Sequence, residues 1–228
     1  MCQHKGMTMF AERVTAKGRP MEGTVGTPGR DCGTHEKAVI VATGLLSDTQ
    51  VATPMGWRAV EGLVAGDMVL TFDNGFREVT AVESAKIWTG DGLAPQDHWL
   101  VEMPANTLGN RTTLRLPPQQ GVMVESDAAE LLYGDPFSVI PALALEALPG
   151  VSRLPVRAKT RCVTLRFAEE EVVFSREGGL LHCPSSRDLL DLDGDRPQYE
   201  MLPLTLARDI VETLTLQEAR ASELCPMI

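Results

Sequence analysis

The chain has 228 residues, long enough for one sizeable domain with tails or at most two small ones, and able to bury a real core. Its formal net charge of −10 excludes a general nucleic-acid binder, because contact with phosphates needs a basic face and none is visible. No apolar run reaches the roughly 18 residues that a membrane-spanning helix needs, so no membrane span is expected.

The N-terminal stretch "MCQHKGMTMFAERVTAKGRP" has neither a continuous apolar run nor a small-residue cleavage site, which points to a cytoplasmic location. Five cysteines, Cys2, Cys32, Cys162, Cys183 and Cys225, stand at irregular spacings without a Cys-x-x-Cys pair. An odd number in that pattern suits free thiols in a reducing compartment better than a disulfide framework.

Residues 1–43 are rich in Gly, Thr, Lys and Arg and read as a flexible leader, ending in the short apolar run "AVIVA", Ala38 to Ala42, a candidate first strand. From Gly44 onward the signals become regular. "QVAT" and "WRAVEGL" are strand-like pieces around the turn "TPMG". "GDMVLTFD" is a strand led in by Gly66-Asp67, and Asn74-Gly75 predicts a two-residue hairpin with "REVTAVESAKIW" as the returning strand. Further strands are expected at "HWLVEMP", "TTLRLPP" and "GVMVES", with a turn at "NTLGN".

"DAAELLYG" has the Asp start and Gly stop of a short helix, and "FSVIPALALEAL" mixes a strand with a helical turn. "RCVTLRFAEEEVVFSREGGLLHC" alternates apolar positions as a second hairpin would. Beyond Pro184 the chain is acidic and turn-rich. It then offers a terminal helix over Leu206 to Arg220 with Leu206, Ile210, Val211 and Leu214 on one face, a stripe suited to packing on the domain. Short strands with turn signals every 8 to 12 residues define an all-β fold with short helical additions. The expected division is a leader over 1–43, a domain over 44–186 and an acidic, helical tail over 187–228.

The spaced positions Thr49, Val51, Thr53, Gly56, Trp57, Val60, Glu61, Leu63, Gly66, Asp67, Val69, Leu70, Thr71, Asp73 and Gly75 resemble the first block of the Hint domains, the hedgehog/intein superfamily. The likeness is to bacterial members outside the splicing inteins. "LRLPPQQGVMVESDAAELLYGDPFSVIPALAL" looks like their central segment and "VTLRFAEEEVVFSREGGLLHC" like their closing hairpin. The resemblance implies a compact β-fold that brings its two ends together. Its chemistry is autocatalytic: a Cys or Ser at the first residue attacks the preceding carbonyl, and an interior Thr-x-x-His protonates or polarises the scissile amide nitrogen.

Carried over by position, the resemblance puts Gly44 in the nucleophile's place, Pro117 in that of the Thr and Gln120 in that of the His. Glycine has nothing to attack with, and Gln carries no proton to give at neutral pH. No His-Asn end appears; His182 is followed by Cys183. Loss of one general acid or base slows a reaction by roughly 10² to 10⁴. Loss of the nucleophile removes the covalent route. The expectation is a degenerate self-cleaving domain serving as a structural or interaction module, with no catalytic residue and no cofactor; a protein partner is left open by the sequence. Two alternatives are an active self-processing domain using unconventional residues and a small-ligand-binding β-barrel.

Other side chains invite sharper readings. Ser47 and Thr49 are candidate shifted nucleophiles, although an unactivated hydroxyl is a weak one. Cys32 stands close to His35 but inside the leader. Cys162, His182 and Cys183 could meet across the final hairpin, yet they number three where zinc wants four ligands. His98 reads as a half-buried structural histidine, and Glu61, Asp67 and Asp73 as acceptors of backbone hydrogen bonds. "DLDGD", Asp191 to Asp195, resembles a calcium loop but lacks the Glu at position twelve.

Overall fold

The computed structural model describes residues 42–157, 159–186 and 199–224. "AVIVA" apart from Ala42, Cys32 with His35, and "DLDGD" lie outside the described residues.

Strands dominate. They are β1 (Leu45–Leu46), β2 (Gln50–Thr53), β3 (Gly56–Ala59), β4 (Met68–Thr71), β5 (Gly75–Glu78), β6 (Ala81–Lys86) and β7 (Leu100–Met103). Then come β8 (Leu114–Leu116), β9 (Gly121–Glu125), helix α1 (Asp127–Tyr133), β10 (Phe137–Pro141) and β11 (Ser152–Leu154). The last are β12 (Arg161–Arg166), β13 (Glu171–Phe174), β14 (Leu180–Cys183) and helix α2 (Leu204–Leu224).

Turn chemistry explains the chain reversals. Gly66, at φ +95°, takes the left-handed position of a turn closed by the Asp67 N–H on the Val64 carbonyl at 3.1 Å. The Asp67 carboxylate folds back to accept the Val64 N–H at 2.9 Å and also lies 3.3 Å from Arg58, tying β3 to the start of β4. Helix α1 stops at Gly134, whose φ of +77° lets its N–H return to the Glu130 carbonyl at 2.8 Å.

The hairpin between β4 and β5 departs from the two-residue expectation. Thr71 pairs with Gly75, leaving Phe72, Asp73 and Asn74 as a three-residue loop. Only Gly75 has positive φ, whereas a two-residue type I′ turn needs it at Asn74 as well. The returning stretch is also two strands rather than one. It breaks at Val79–Thr80, because Val79 turns into the core and β6 crosses to pair with β12.

Among the described residues four sheets result: β1-β12-β6, β10-β9-β14-β13-β4-β5, β11-β7-β8 and the β2-β3 hairpin. Their inner faces share one core that includes Leu45, Val51, Val69, Met103, Leu116, Ile140, Val163, Phe167 and Leu181. Full burial of each such side chain contributes roughly 1.5–3 kcal/mol. Helix α2 closes this core with Ala207, Ile210 and Val211. Of the expected stripe, Ile210, Val211 and Leu214 face the core, whereas Leu206 is exposed and Ala207 faces inward in its place. Among the described residues no helix is long and apolar enough to cross a membrane.

Candidate functional site around Gly44 and Gln120

Three elements converge where β1 begins. Leu45 and Leu46 pair with Val163 and Cys162 of β12, which fixes the chain just before them. Gln120 directly precedes β9, and β9 meets β14 through Val122 and Leu181. Gln120 is held by its backbone: its N–H donates to the Pro117 carbonyl at 3.1 Å, and its carbonyl accepts the Ala142 N–H at 2.8 Å. Pro117, buried and lacking an N–H, serves this turn through its carbonyl alone.

From that position the buried Gln120 amide joins all three elements. The Gly44 N–H donates to its Oε1 at 2.9 Å. Its Nε2 donates to the Gly121 carbonyl at 3.0 Å and to the His182 carbonyl at 2.8 Å. The orientation of the amide is forced, because a flip would set donor against donor at Gly44 and oxygen against oxygen at the two carbonyls. The structure thus brings Gly44 and Gln120 into direct contact.

That contact has a chemical sign. An acyl shift at the Thr43–Gly44 bond needs a proton delivered to the Gly44 nitrogen as it leaves. Here Gln120 presents an acceptor oxygen to that nitrogen, and its two donor hydrogens are committed elsewhere. A bond accepted from an amide N–H favours the resonance that makes the peptide link strong.

Gly44 itself has taken a backbone conformation suited to glycine. Its φ is +105°, and a β-carbon there would lie 3.2 Å from Thr164 Oγ1 and 3.2 Å from the Val163 carbonyl oxygen. Thr164, which the sequence reading did not single out, is therefore the side chain that stands where a residue-44 side chain would go. Nothing local marks it, since it lies on a strand 120 residues further on (164 − 44).

A cavity of about 160 Å³ opens beside this contact, lined by Thr43, Gly44, Thr164, His182, Cys183 and Met201 among others. His182 is three-quarters or more buried, with Nε2 lacking a hydrogen-bond partner among the described residues and 3.8 Å from Glu170 Oε2. Burial lowers its pKa below the usual imidazole range, and the Glu170 carboxylate opposes that shift. Cys183 is 2 % exposed, and burial, with Glu171 nearby, pushes its thiol up to about 12. At neutral pH it is a packed thiol with almost no thiolate.

The remaining candidates lie elsewhere. Ser47 and Thr49 do not line the cavity. Their backbones hold the β1–β2 connection instead: the Thr49 N–H donates to the Leu46 carbonyl at 2.9 Å, and the Ser47 carbonyl accepts from Glu61 at 3.3 Å. Cys162 and Cys183 do not meet. Cys162 packs with Leu46, Ile87 and Trp88 in a second cluster, whereas Cys183 belongs to the main core. Alternation sends the two thiols to different faces of different sheets. Among the described residues no three His, Cys, Asp or Glu side chains are placed to hold a metal ion. His98 is half-buried. Asp73 differs from expectation, taking the Tyr199 hydroxyl rather than a backbone N–H.

Residues 43–179, more than half of the chain, match the family model described as Hint domain. The chain belongs to the Hint domain family, and its fold is the all-β Hint fold. Among solved structures it is similar to the gp41-1 intein, with 12 % identity and a TM-score of 0.38 over 62 % of this chain and 98 % of that one. It is also similar to a bacterial intein-like domain from Clostridium thermocellum, with 13 % identity and a TM-score of 0.40 over 61 % of this chain and 98 % of that one. A third likeness is to the MchDnaB-1 intein, with 16 % identity and a TM-score of 0.34 over 60 % of this chain and 98 % of that one. No curated protein matches the chain.

Proposed function

We propose that this chain is a Hint domain of the non-splicing type that has lost self-cleavage and serves as a structural or interaction module. One observation carries the reading: the Gly44 N–H is paired with the oxygen of Gln120, at a position with neither a nucleophile nor a proton donor. The positive φ of Gly44 supports it further, because the backbone has settled where a Cys or Ser side chain would be strained. Of the other candidates, His182 and Cys183 line the cavity beside Gly44, whereas Ser47 and Thr49 do not. Thr49 is itself buried outside that cavity, and burial keeps the Cys183 thiol protonated. Free, buried Cys162 and Cys183 suit the reducing, cytoplasmic setting proposed for the chain.

The test is the intact mass of the purified full chain, incubated with and without hydroxylamine or excess thiol. A single species near 24.8 kDa under both conditions is expected. Fragments ending at Thr43 or beginning at Gly44 would overturn the reading and make the Thr164 hydroxyl the first suspect.

A further inference from the structure

Residues 199–202, just ahead of helix α2, cross the six-stranded sheet to its β10 edge and are fastened at both ends. At the first end, Tyr199 packs with Met123, Val139 and Val172, which strand alternation turns away from the main core. Its N–H donates to Glu170 Oε2 at 3.4 Å, its hydroxyl is held by Asp73, and its ring meets His182 edge to face with centroids 6.4 Å apart. At the other end the Leu202 N–H donates to the Val139 carbonyl at 2.9 Å, and Met201 forms a parallel bridge to Val139.

Between these anchors Met201 reaches the cavity of about 160 Å³ beside Gly44. Leu45, Val163, Leu165 and Cys183 line that cavity at 2 % exposure or less, whereas Met201 is 38 % exposed. The first four therefore form its floor, and Met201 stands at its mouth with one side in water. An unbranched thioether suits that place, because it adapts its shape to whatever gap it covers.

The cost of lifting this segment is small beside that of unfolding the domain. Tyr199 and Leu202 are half-buried, Glu200 and Met201 are exposed, and helix α2 keeps its own hold on the core through Ala207, Ile210 and Val211. Segments with few buried apolar contacts open locally at a fraction of the global free energy. We infer that residues 199–202 are a lid on the cavity beside Gly44, opening as a unit while the core stays folded and so governing which small molecules reach Cys183 and the Thr43–Gly44 bond. The inference goes beyond the inert-module reading, because it concerns access to the cleft whether or not the bond there can be cut.

The experiment follows slow alkylation of the full-length protein during prolonged exposure to iodoacetamide, resolved by peptide at Cys183 and at Cys162. Cys162 serves as the comparator, since it packs with Leu46, Ile87 and Trp88 and does not line the cavity. In the parent protein, at urea concentrations below the transition, the logarithm of the Cys183 rate is expected to rise with urea less than about half as steeply as that of the global unfolding constant, because opening a short lid exposes little surface. Met201→Ala and Tyr199→Ala are each expected to raise the ratio of the Cys183 rate to the Cys162 rate at least about fivefold, and Leu206→Ala, on the exposed side of α2, to leave it within about twofold. A Cys183 rate that tracks global unfolding in urea, or a ratio unmoved by both lid variants, would overturn the lid. Intact mass on the same samples reports the Thr43–Gly44 bond separately. Fragments beginning at Gly44 in the lid variants alone would support the lid as a guard and overturn the inert-module reading, so the two fail independently.

Discussion

Gly44 and Thr164 leave almost no room between them. A β-carbon on Gly44 would approach Thr164 Oγ1 to 3.2 Å, on a residue whose φ is +105°. Putting the family's nucleophile back by Gly44→Cys is therefore expected to cost stability without restoring cleavage. A strained left-handed residue costs of order 1–3 kcal/mol. For a chain of this size that lowers Tm by roughly 2–4 °C per kcal/mol. Thermal unfolding checks the cost, and intact mass under excess thiol checks the chemistry. A Gly44→Cys protein that melts with the parent and splits at position 44 would show that only the side chain had been missing.

Gln120 makes a sharper test, because its two ends carry opposite demands. Gln120→Ala leaves the Gly44 N–H and the Gly121 and His182 carbonyls without their partner. At about 1–3 kcal/mol for each buried group left unpaired, partly recovered by water, a net loss of roughly 2–4 kcal/mol is expected. Gln120→Glu keeps an acceptor for Gly44 but turns an oxygen toward two carbonyls. That repulsion raises the folded carboxyl pKa, so the variant is destabilised at neutral pH and regains stability as pH falls and the group is protonated. Urea midpoints at pH 5 and pH 8 separate the two variants. A Gln120→Glu protein with a pH-independent deficit would rule out the donor assignment at Nε2.

The buried thiols should be silent in the native protein. With its thiol pushed up to about 12, Cys183 is ionised to roughly one part in 10⁴ at pH 8. Cys162, 1 % exposed, has its thiol raised by burial as well. Peptide-resolved alkylation with iodoacetamide is expected to leave both unmodified in the folded chain and to label both in denaturant. Rapid native labelling of Cys183 would mean a thiolate beside Gly44 and would reopen the covalent route.

How much of this was legible beforehand follows the range of the interactions. Short-range chemistry read well. The Gly66 turn, the Gly134 helix stop and the loop braced by Asn110 all show in a few adjacent residues. Asn110 is a case in point, its Nδ2 donating to the Pro104 and Thr112 carbonyls at 2.6 and 2.9 Å. Gly44 and Gln120 were paired only because spacing within a resemblance set them opposite each other, since nothing in either neighbourhood names the other. Contacts closed purely by tertiary packing were invisible, such as Tyr199 on Asp73 across 126 residues and Thr164 against Gly44. Register was the other blind spot. Cys162 pairs with Ala85 and Cys183 with Glu171, partners that local alternation cannot supply.

His182 sets a pH dependence whose sign follows from its burial. Burial lowers its folded pKa below the ordinary 6.5, while Glu170 pulls in the opposite direction. The unfolded chain then binds the proton more readily than the folded one. Stability from this group is full above about pH 6.5 and is lost as pH falls from there through the lowered folded value. His182→Gln is expected to flatten the fall in urea midpoint between pH 7.5 and pH 5.5. Glu170→Gln, which removes the carboxylate that raises the His182 pKa, is expected to steepen it. An unchanged slope in both variants would assign the acid sensitivity to other groups.

Helix α2 is packed into the main core. Ala207, Ile210 and Val211 are buried in the main core, with Leu204 and Leu214 packed against it. The preceding Met201 and Leu202 are joined to Val139 of β10. These contacts place α2 against the core although it lies beyond residue 179, where the family match ends. Ile210→Ala is expected to cost about 2–5 kcal/mol, the usual range for emptying a buried aliphatic site. Truncation after Ser186 removes all of these contacts at once and uncovers β10 and the helical turn Ala142–Ala147, against which the helix packs. Loss of cooperative unfolding, with dye binding to exposed apolar surface, is the expected outcome. A truncated chain that melts cooperatively near the parent Tm would instead make α2 an ornament on a self-sufficient β-domain.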